Sequence, residues 1–493
     1  MDVNIQKPNI VARKRSGVIR AEKSRVITRS YIPGPDNRIK SVINRALGLS
    51  DQEVQTLLDQ VMLEFSDRHR HFKKSLESNY RKIEHCVPDN ENITQEKRLL
   101  LGAYFTSEYS VEAAALFNPS IVEHPDQTKA PEGGMRFIMS FRATGEGHIS
   151  SIEFRSGLID KDNGVFFDPI SDYIETPELS INRTYNKHLF NLKLNEMGAC
   201  NDVTASLFNK LGDEFIFETL EEKIAELDWE PHLDSARRKD AADMAMWLAR
   251  SNYIVKFHPD YRISERVIFP VSENESKGIE DARFVRFTDD DGSVVYYATY
   301  TAYNGFIIMP QLIETKDFET FRIITLNGKA VQNKGMALFP RKIDGKYAML
   351  SRQDGENNYI MFSDNIHFWQ ESEILRTPTR PWEFVQIGNC GSPIETPEGW
   401  LLLTHGVGPM RKYCVGIDLL DLRDPSKVIG RLDEPILEPT DDEREGYVPN
   451  VVYSCGGMIH NGELIIPYAS ADQRSGIATV SVQELLSRFG GAG

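Results

Sequence analysis

The sequence is poor in cysteine and lacks long hydrophobic runs. Its 493 residues include five cysteines with no Cys-x-x-Cys pair, so we expect reduced thiols, with neither a disulfide framework nor a structural zinc site. No apolar run approaches the roughly 20 residues of a membrane-spanning helix, and the N-terminus lacks the apolar segment of a secretory signal. These absences predict a cytoplasmic protein with no membrane contact.

Basic residues are fewer than acidic residues. The chain has 57 Lys and Arg against 73 Asp and Glu, which gives a formal net charge of −16 and argues against nucleic acid as a partner. The sequence contains no glycine-rich phosphate loop, dinucleotide fingerprint or metal-ligand cluster, so we expect no cofactor and no bound metal. With 40% hydrophobic residues, a chain of this length can bury a large core and is expected to form two or more domains.

The first part of the chain differs in charge and pattern from the rest. Residues 1–40 carry ten Lys or Arg, interrupted by Pro and Gly, which predicts an extended basic arm, laid across an acidic body or a neighbouring subunit; a flexible tail is the alternative. In residues 41–110, a capping box from Ser50 to Glu53 and apolar residues at helical spacing predict helices. Because this basic arm and helical region belong to a chain that is acidic overall, we expect the protein to self-associate as a homo-oligomer.

A turn signal recurs at intervals of about fifty to sixty residues. An acidic residue or Asn followed by Gly stands before an apolar run at Asp291-Gly292, Asp344-Gly345, Glu398-Gly399 and Asn461-Gly462. Such pairs are typical of tight hairpin turns that lead into strands. Gly133-Gly134 supplies a fifth member. Five such units predict a mainly β fold, a five-bladed β-propeller whose blades are small antiparallel sheets.

Helical patterns lie before and inside this repeat. Residues 92–116, 203–227 and 234–251 have apolar residues at helical spacing. We therefore expect a helical insertion after the first blade. The predicted organisation is a basic extended arm (1–40), a helical N-terminal region (41–110), a first blade (111–165), a helical insertion (166–255) and the remaining blades (256–493).

The apolar runs of the five units end on polar or aromatic side chains. These are Arg142, Tyr303, Arg352, His405 and Asp472. Since equivalent strands of a propeller lie side by side around one axis, we expect these ends to converge on a central pocket. Each residue alone has the alternative of a solvated strand end, whereas the set as a whole is typical of a site for a polyol and an anion.

The segment from Gly278 to Arg283 combines two adjacent carboxylates, Glu280 and Asp281, with a guanidinium. Adjacent carboxylates repel, so we expect one to keep its proton near neutral pH while Arg283 holds the other charged. Glycoside cleavage uses such a pair, with an acid for the leaving oxygen and a charged group to orient the sugar. A buried ion-pair turn is the alternative interpretation.

An ordered series of motifs connects these features with a known family. It comprises Phe117–Ser120, Phe141–Ala143, Gly278–Arg283, Tyr300–Tyr303, Ala337–Pro340, Asp344–Tyr347, Glu398–Trp400, Thr404–Val407, Leu419–Pro425, Glu445–Val452 and Tyr468–Asp472. The series resembles glycoside hydrolase family 130, the β-mannoside phosphorylases and mannosidases with a five-bladed β-propeller. The basic arm and the helical N-terminal region lie outside its usual shorter members.

The resemblance implies an inverting phosphorylase that cleaves β-linked manno-oligosaccharides with inorganic phosphate and releases mannose 1-phosphate. Asp281 matches the family's catalytic acid, which is thought to protonate the glycosidic oxygen through the 3-hydroxyl of the sugar. We assign phosphate contacts to Arg352, His405, Lys334 and Arg341, and sugar contacts to Asn118, Arg142, Glu280, Arg283, Tyr303 and Asp472. The expected partners are the oligosaccharide and phosphate.

The sequence departs from the family pattern at three places, and two other functions stay open. Ala282 replaces a usual Pro, and Ser351-Arg352-Gln353 replaces His-Arg-Pro. Gln332 stands where an Arg is expected, so that either Lys334 or Arg341 compensates or phosphate is bound more weakly. An inverting β-mannosidase would use water and a second carboxylate about 6.5–9.5 Å from the acid; Glu383, Asp354 and Glu445 are the candidates. A non-catalytic sugar-binding propeller would not depend on Asp281 for turnover.

Overall fold

The structure is a computed structural model, and it describes residues 10–88, 93–181, 184–199, 201–227, 235–305 and 308–489. The N-terminal part of these residues contains three short strands and four helices. In chain order they are β1 (Arg13–Lys14), β2 (Val26–Ser30), α1 (Asp36–Leu47), α2 (Asp51–Phe65), α3 (Phe72–Ile83), α4 (Gln95–Tyr104) and β3 (Thr106–Ser110).

Strands dominate the rest of the described chain. The next elements are β4 (Ala115–Glu123), β5 (Met135–Thr144), β6 (Ser150–Ile159), β7 (Val165–Phe167), β8 (Glu178–Ile181), β9 (Tyr185–Asn186), α5 (Lys187–Glu196), α6 (Asp202–Asn209), β10 (Glu214–Phe215), α7 (Phe217–Leu227), α8 (Ser235–Arg250), β11 (Tyr253–Lys256) and β12 (Val267–Ile268). The last elements are β13 (Gly278–Thr288), β14 (Val294–Tyr303), β15 (Ile308–Thr315), β16 (Thr320–Thr325), β17 (Lys334–Leu338), β18 (Tyr347–Arg352), β19 (Asn358–Ser363), β20 (Glu373–Arg376), β21 (Gln386–Asn389), β22 (Ile394–Thr396), β23 (Gly399–Val407), β24 (Tyr413–Leu420), β25 (Val428–Arg431), β26 (Val452–Tyr453), β27 (Met458–His460), β28 (Glu463–Ser470), β29 (Arg474–Ser481) and α9 (Val482–Phe489).

Within the described residues these strands form five antiparallel sheets of four to six strands, besides the pairs β2–β3 and β9–β10. The strand orders are β12-β6-β5-β4 in the first sheet, β13-β14-β15-β16-β11-β8 in the second, β17-β18-β19-β20 in the third, β21-β23-β24-β25 in the fourth and β1-β29-β28-β26 in the fifth. Strands β7, β22 and β27 pair with β6, β23 and β28. Contacts between sheets join β4 to β13, β14 to β17, β18 to β21, β24 to β26, and β28 back to β4. The chain is therefore mainly β, as predicted.

The repeated glycine turns lie where the sequence places them. Gly292, Gly345 and Gly462 separate consecutive strands with φ values of 81°, 77° and 78°, while Gly399 begins β23 and Gly133 precedes β5 with φ values of 152° and 70°. Glycine adopts positive φ without the steric conflict of a Cβ atom, so local turn chemistry sets where a strand of each sheet begins. The turn-based prediction is confirmed at all five positions.

The helices between the first and second sheets have a core of their own. Leu194, Leu207, Leu220 and Ala245 are fully buried in it. The segment is joined to the second sheet because β8 and β11 extend that sheet beyond β16. The helix predicted over 203–227 is divided into α6 and α7, with β10 between them, and the helix predicted over 234–251 corresponds to α8.

One helix predicted for the N-terminal region needs correction. The helix expected over 92–116 ends at Tyr104, because Thr106–Ser110 pair with β2 as β3 and Ala115–Glu123 pack in the first sheet as β4. These sheet contacts outweigh the helical propensity of the alanines. The predicted boundary at residue 40 falls inside α1. The capping box at Ser50 is confirmed, with the Glu53 amide donating to the Ser50 hydroxyl at 3.3 Å.

The described part of the basic arm lies along the body of the protein. Strand β1 pairs with β29 so that Arg13 faces Thr479, and the amide of Ala12 donates to the carbonyl of Ile436 at 2.8 Å. Residues 1–9 of the predicted arm lie outside the described residues. Further along, buried Arg25 contacts Glu112 and Glu153. In the residues searched, no helix is both long and apolar enough to cross a membrane.

Candidate active site

Three strands, β4, β13 and β17, shift their pairing register near their first residues. Strand β13 shifts register between Glu280 and Arg283, and β4 does so between Phe117 and Ser120. Asp281 and Asn118 lie inside these bulges with φ values of 52° and 49°. Bulges re-aim side chains, and left-handed φ at a non-glycine residue is tolerated where the surrounding structure demands it. Here the two bulges bring Asn118 to Asp281 across neighbouring sheets.

The predicted acid, Asp281, is surrounded by cations and an amide. Asn118 Nδ2 donates to Asp281 Oδ1 at 2.7 Å, Arg142 Nη1 lies 3.7 Å from the same oxygen, and Arg283 Nη2 lies 4.0 Å from Oδ2. Burial alone would raise the pKa of Asp281, but Arg142, Arg283, the Asn118 hydrogen bond and Lys334 together hold that pKa below its usual value. Asp281 is therefore ionised in the free protein.

Glu280 extends this charge network toward the third sheet. Arg142 Nη2 donates to Glu280 Oε1 at 2.9 Å, and Lys334 Nζ lies 3.7 Å from Glu280 Oε2. The expected proton-holding member of the Glu280–Asp281 pair is not Asp281. Within this site, burial and the nearby charge of Asp281 raise the pKa of Asp472 to about 6.

Arg283 lies beneath the site and ties three sheets together. Its Nη1 donates to the carbonyl of Asp281 at 3.0 Å, its Nε to the carbonyl of Cys390 at 3.1 Å and its Nη2 to the hydroxyl of Tyr453 at 2.7 Å. Because it is only 3% exposed, Arg283 is placed to hold the bulge of Asp281 in position, whereas the sequence predicted a sugar contact. Tyr453, which the sequence analysis missed, completes this support.

The predicted phosphate residues Arg352 and His405 are in direct contact. Arg352 Nη1 donates to His405 Nε2 at 2.9 Å. The Gln386 amide, oriented to satisfy its neighbours, accepts from the same Nη1 at 2.7 Å. Burial, followed by the charges of Arg352 and Arg283, lowers the pKa of His405 well below its ordinary value, so the ring is neutral. Lys334 faces Arg352 across β17 and β18, which joins this group to the network around Asp281.

Arg341 is not part of this group. Its Nη2 and Nε donate to the Glu395 carboxylate at 2.7 and 2.9 Å. Lys334 begins the five-residue strand β17, and Arg341 lies three residues beyond the end of that strand. The strand alone rises about 13 Å, and Lys342, next to Arg341, pairs with Asp289 beyond the far end of β13. Strand direction therefore places Arg341 at the opposite end of the sheet from Lys334, apart from Arg352 and His405, and its predicted phosphate contact stays a prediction.

Tyr303 lies at the edge of the site. It faces Gly278 across β13 and β14, and its hydroxyl donates to the carbonyl of Gly305 at 3.1 Å. This places Tyr303 beside the strand start that carries Glu280 and Asp281, without a described contact to either carboxylate. Its predicted sugar contact therefore stays a prediction.

The three carboxylates proposed as hydrolytic bases have other surroundings. Glu383 is fully buried and accepts from Arg376 and Thr379. Asp354 accepts the amides of the turn that follows it. Glu445 is exposed. No contact among the described residues links any of these three candidates to Asp281.

Comparison with known proteins identifies the family of the chain. A family described as β-1,4-mannooligosaccharide phosphorylase, glycoside hydrolase family 130, matches residues 238–489, just over half of the chain. The chain belongs to this family. The matched part of this family member contains Asp281, Lys334, Arg352, His405 and Asp472, whereas Asn118 and Arg142 precede it.

Three relatives illustrate the range of similarity. A 1,2-β-oligomannan phosphorylase of Thermoanaerobacter sp. (strain X514) is 36% identical over 238 residues, which cover 45% of this chain and 75% of that protein. A β-1,4-mannooligosaccharide phosphorylase of Ruminococcus albus is 30% identical over 239 residues, 45% of this chain and 70% of that protein. The solved β-1,2-mannobiose phosphorylase of Listeria innocua has 24% identity and a TM-score of 0.46, covering 78% of this chain and 93% of that one.

Proposed function

We propose that the protein is an inverting glycoside phosphorylase that cleaves β-linked manno-oligosaccharides with inorganic phosphate and releases mannose 1-phosphate. The observation that carries this proposal is the contact of Arg352 with neutral His405, next to Lys334 and the acid Asp281. Arginine forks and lysine suit the geometry and charge of phosphate. A hydrolase that activates water needs a base instead of this cationic group.

Phosphate binding would also prepare the acid for its task. In the free protein, Arg142, Arg283 and Lys334 hold Asp281 in its ionised form. A phosphate anion near Lys334 and Arg352 would offset part of this positive charge and raise the pKa of Asp281, because a nearby negative charge disfavours ionisation. Protonated Asp281 would then be present when the nucleophile is bound.

The reaction would follow from these positions. Asp281 gives its proton, through the 3-hydroxyl of the mannose, to the glycosidic oxygen as the bond from that oxygen to the anomeric carbon breaks. A phosphate oxygen forms the new bond to the anomeric carbon from the opposite face, which inverts its configuration. The leaving sugar departs with the proton, and the buried Asn118, with its Oδ1 unpaired within the described residues, would hold the cleaved mannose together with Arg142 and Asp472.

The arrangement of the sheets supports a five-bladed propeller with the helical segment inserted after the first blade. Each of the five sheets contacts the next, and the fifth contacts the first. In a propeller the strands nearest the axis would be β4, β13, β17, β21 and β26. Residues of the first three, together with Arg142, Arg352 and His405 from strands paired with β4, β17 and β21, would form the site. The domain boundaries, cytoplasmic location, homo-oligomeric state and independence of any cofactor remain predictions of the sequence.

Product analysis tests the function directly. β-1,2- and β-1,4-mannobiose are each incubated with and without inorganic phosphate, with the wild-type protein and Asp281→Asn. We expect mannose 1-phosphate only with phosphate and only from the wild-type protein, since Asn cannot donate the proton. Free mannose at the same rate without phosphate would establish a hydrolase instead, and turnover by Asp281→Asn would exclude Asp281 as the acid.

A further inference from the structure

A large cavity lies between the helical segment and the second and third sheets. Its volume is about 1410 Å³. Helices α5 and α8 line one side of it, with Asn195 and Trp247 among the lining residues, and β15 and the loop before β17 line the other, with Pro310 and Gln332. Pockets for single small ligands measure about 300–1,000 Å³, so this cavity is large enough for a longer molecule.

The cavity begins next to the proposed active site. Gln332 precedes Lys334 by two residues and Asn304 directly follows Tyr303, and both line the cavity. Because successive Cα atoms are about 3.8 Å apart, the cavity reaches to within about two residue lengths of Lys334. Asn118 and Arg142 approach Asp281 from the first sheet, whereas the cavity lies beside the second and third sheets.

The side chains of the cavity suit a carbohydrate. Trp247 and Phe368 offer aromatic surface, and Asn195, Gln332 and Gln370 offer amides that both donate and accept hydrogen bonds. A sugar ring presents an apolar face of C–H groups and a rim of hydroxyls, which need these two kinds of contact. Asn195, Gln332 and Gln370 are exposed.

The helical wall is fixed to the loop that leads to Lys334. Glu196 Oε1 accepts from the Gly328 amide at 2.6 Å, and Lys193 Nζ donates to Glu196 Oε2 at 3.2 Å. Gly328 has φ of 108°, and a Cβ there would lie 1.9 Å from the carbonyl oxygen of Trp369, so only glycine permits this approach. The α5 part of the wall precedes residue 238, where the family match begins.

We infer that this cavity binds the leaving-group portion of the substrate, the sugar units beyond the bond that is cleaved, and makes the protein favour oligosaccharides over a disaccharide. The inference rests on the proposed function. A disaccharide leaves only one sugar unit on this side of Asp281, whereas each added unit of a longer chain would extend along the surface formed by Gln332, Trp247 and Gln370.

Chain-length dependence tests the inference. Phosphate-dependent kcat/KM is measured for the disaccharide, trisaccharide and tetrasaccharide of the β-1,2 and β-1,4 series. Gln370→Ala is expected to lower the tetrasaccharide value about threefold to tenfold, the effect of one lost hydrogen bond, with a smaller loss for shorter chains. Trp247→Ala should cause a loss of about tenfold or more, since it removes stacking and apolar area, and Trp247→Phe should restore part of it.

Gln55→Ala, an exposed glutamine of α2, is the matched control for Gln370→Ala. Trp247 packs against two hydrophobic clusters, so Trp247→Ala could lose its fold. In that case the result with Gln370→Ala alone tests the inference. Losses of equal size at every chain length, or none with the tetrasaccharide, would overturn the inference while leaving the phosphorylase function intact.

A binding measurement tests the cavity assignment independently of the proposed phosphorylase activity. Calorimetric titration of Asp281→Asn with disaccharide and tetrasaccharide needs no turnover. Tighter binding of the tetrasaccharide, weakened by adding Gln370→Ala, supports the cavity assignment even if the wild-type protein forms no mannose 1-phosphate. Tetrasaccharide binding no tighter than that of the disaccharide rejects the assignment whatever the turnover.

Discussion

One added methyl group at Gly388 tests the phosphate site. Gly388 faces His405 across β21 and β23. A Cβ at residue 388 would lie 2.6 Å from His405 Cε1 and 3.2 Å from Arg352 Cδ. His405 is 1% exposed, and its ring centroid lies 4.9 Å from that of Tyr453. Gly388→Ala must therefore displace the imidazole, the guanidinium that donates to it, or both.

The expected effect is a selective loss of phosphate recognition. A hydrogen bond to a charged group contributes about 1.5–3 kcal/mol, so losing one such contact should lower kcat/KM for phosphate about tenfold to a hundredfold. Initial rates of mannose 1-phosphate formation, at varied phosphate and saturating mannobiose, measure this. Gly48→Ala is the matched control, because a Cβ there meets its nearest atoms at 3.5 Å.

Thermal unfolding of both variants shows whether the protein is still folded. A folded Gly388→Ala protein with unchanged kcat/KM for phosphate would refute the assignment of Arg352 and His405 to phosphate. A defect confined to the KM for mannobiose would assign this group to the sugar instead.

Three further predictions concern individual charges. Arg341→Ala should change kcat/KM for phosphate by less than about twofold, since an exposed ion pair contributes little, whereas a loss as large as that of Arg352→Ala would return Arg341 to the site. Arg25→Met should destabilise the protein by about 3–5 kcal/mol in chemical denaturation, because it leaves buried Glu112 and Glu153 without this partner; exposed Lys23→Met is the control, and equal midpoints would contradict the argument. Burial and nearby Asp281 raise the pKa of Asp472 to about 6, so its contribution to stability is present at low pH and is lost as the pH rises through about 6. Asp472→Asn should therefore be more stable than the wild-type protein at pH 8, by up to about 3 kcal/mol, with the difference vanishing below about pH 4; a difference independent of pH would contradict this.

Features set by local chemistry could be predicted from the sequence. The turn at Gly345 depends on its own φ and on the apolar run that follows, both properties of adjacent residues. The capping box at Ser50 and Glu53 is local in the same way. Asp281, Arg352 and His405 were identifiable because they end or interrupt apolar runs inside recognisable motifs.

Features set by distant contacts could not be predicted in this way. Tyr453 supports Arg283 across two sheets, and Gly388 matters only because His405 packs against it. The separation of Arg341 from Arg352 and His405 could not be predicted either, because sequence spacing does not show which end of a strand faces the site. The lowered pKa of Asp281 likewise depends on Arg142, which lies far away in the sequence and adjacent in space.

The pairing of β1 with β29 has a consequence for the order in which the protein can be assembled. Arg13 is synthesised several hundred residues before its partner Thr479. Such distant pairings form slowly, and an unpaired strand edge is open to wrong partners in the meantime. The fifth sheet therefore reaches its full width only after β29 has been synthesised, and until then β1 lacks the strand with which it pairs.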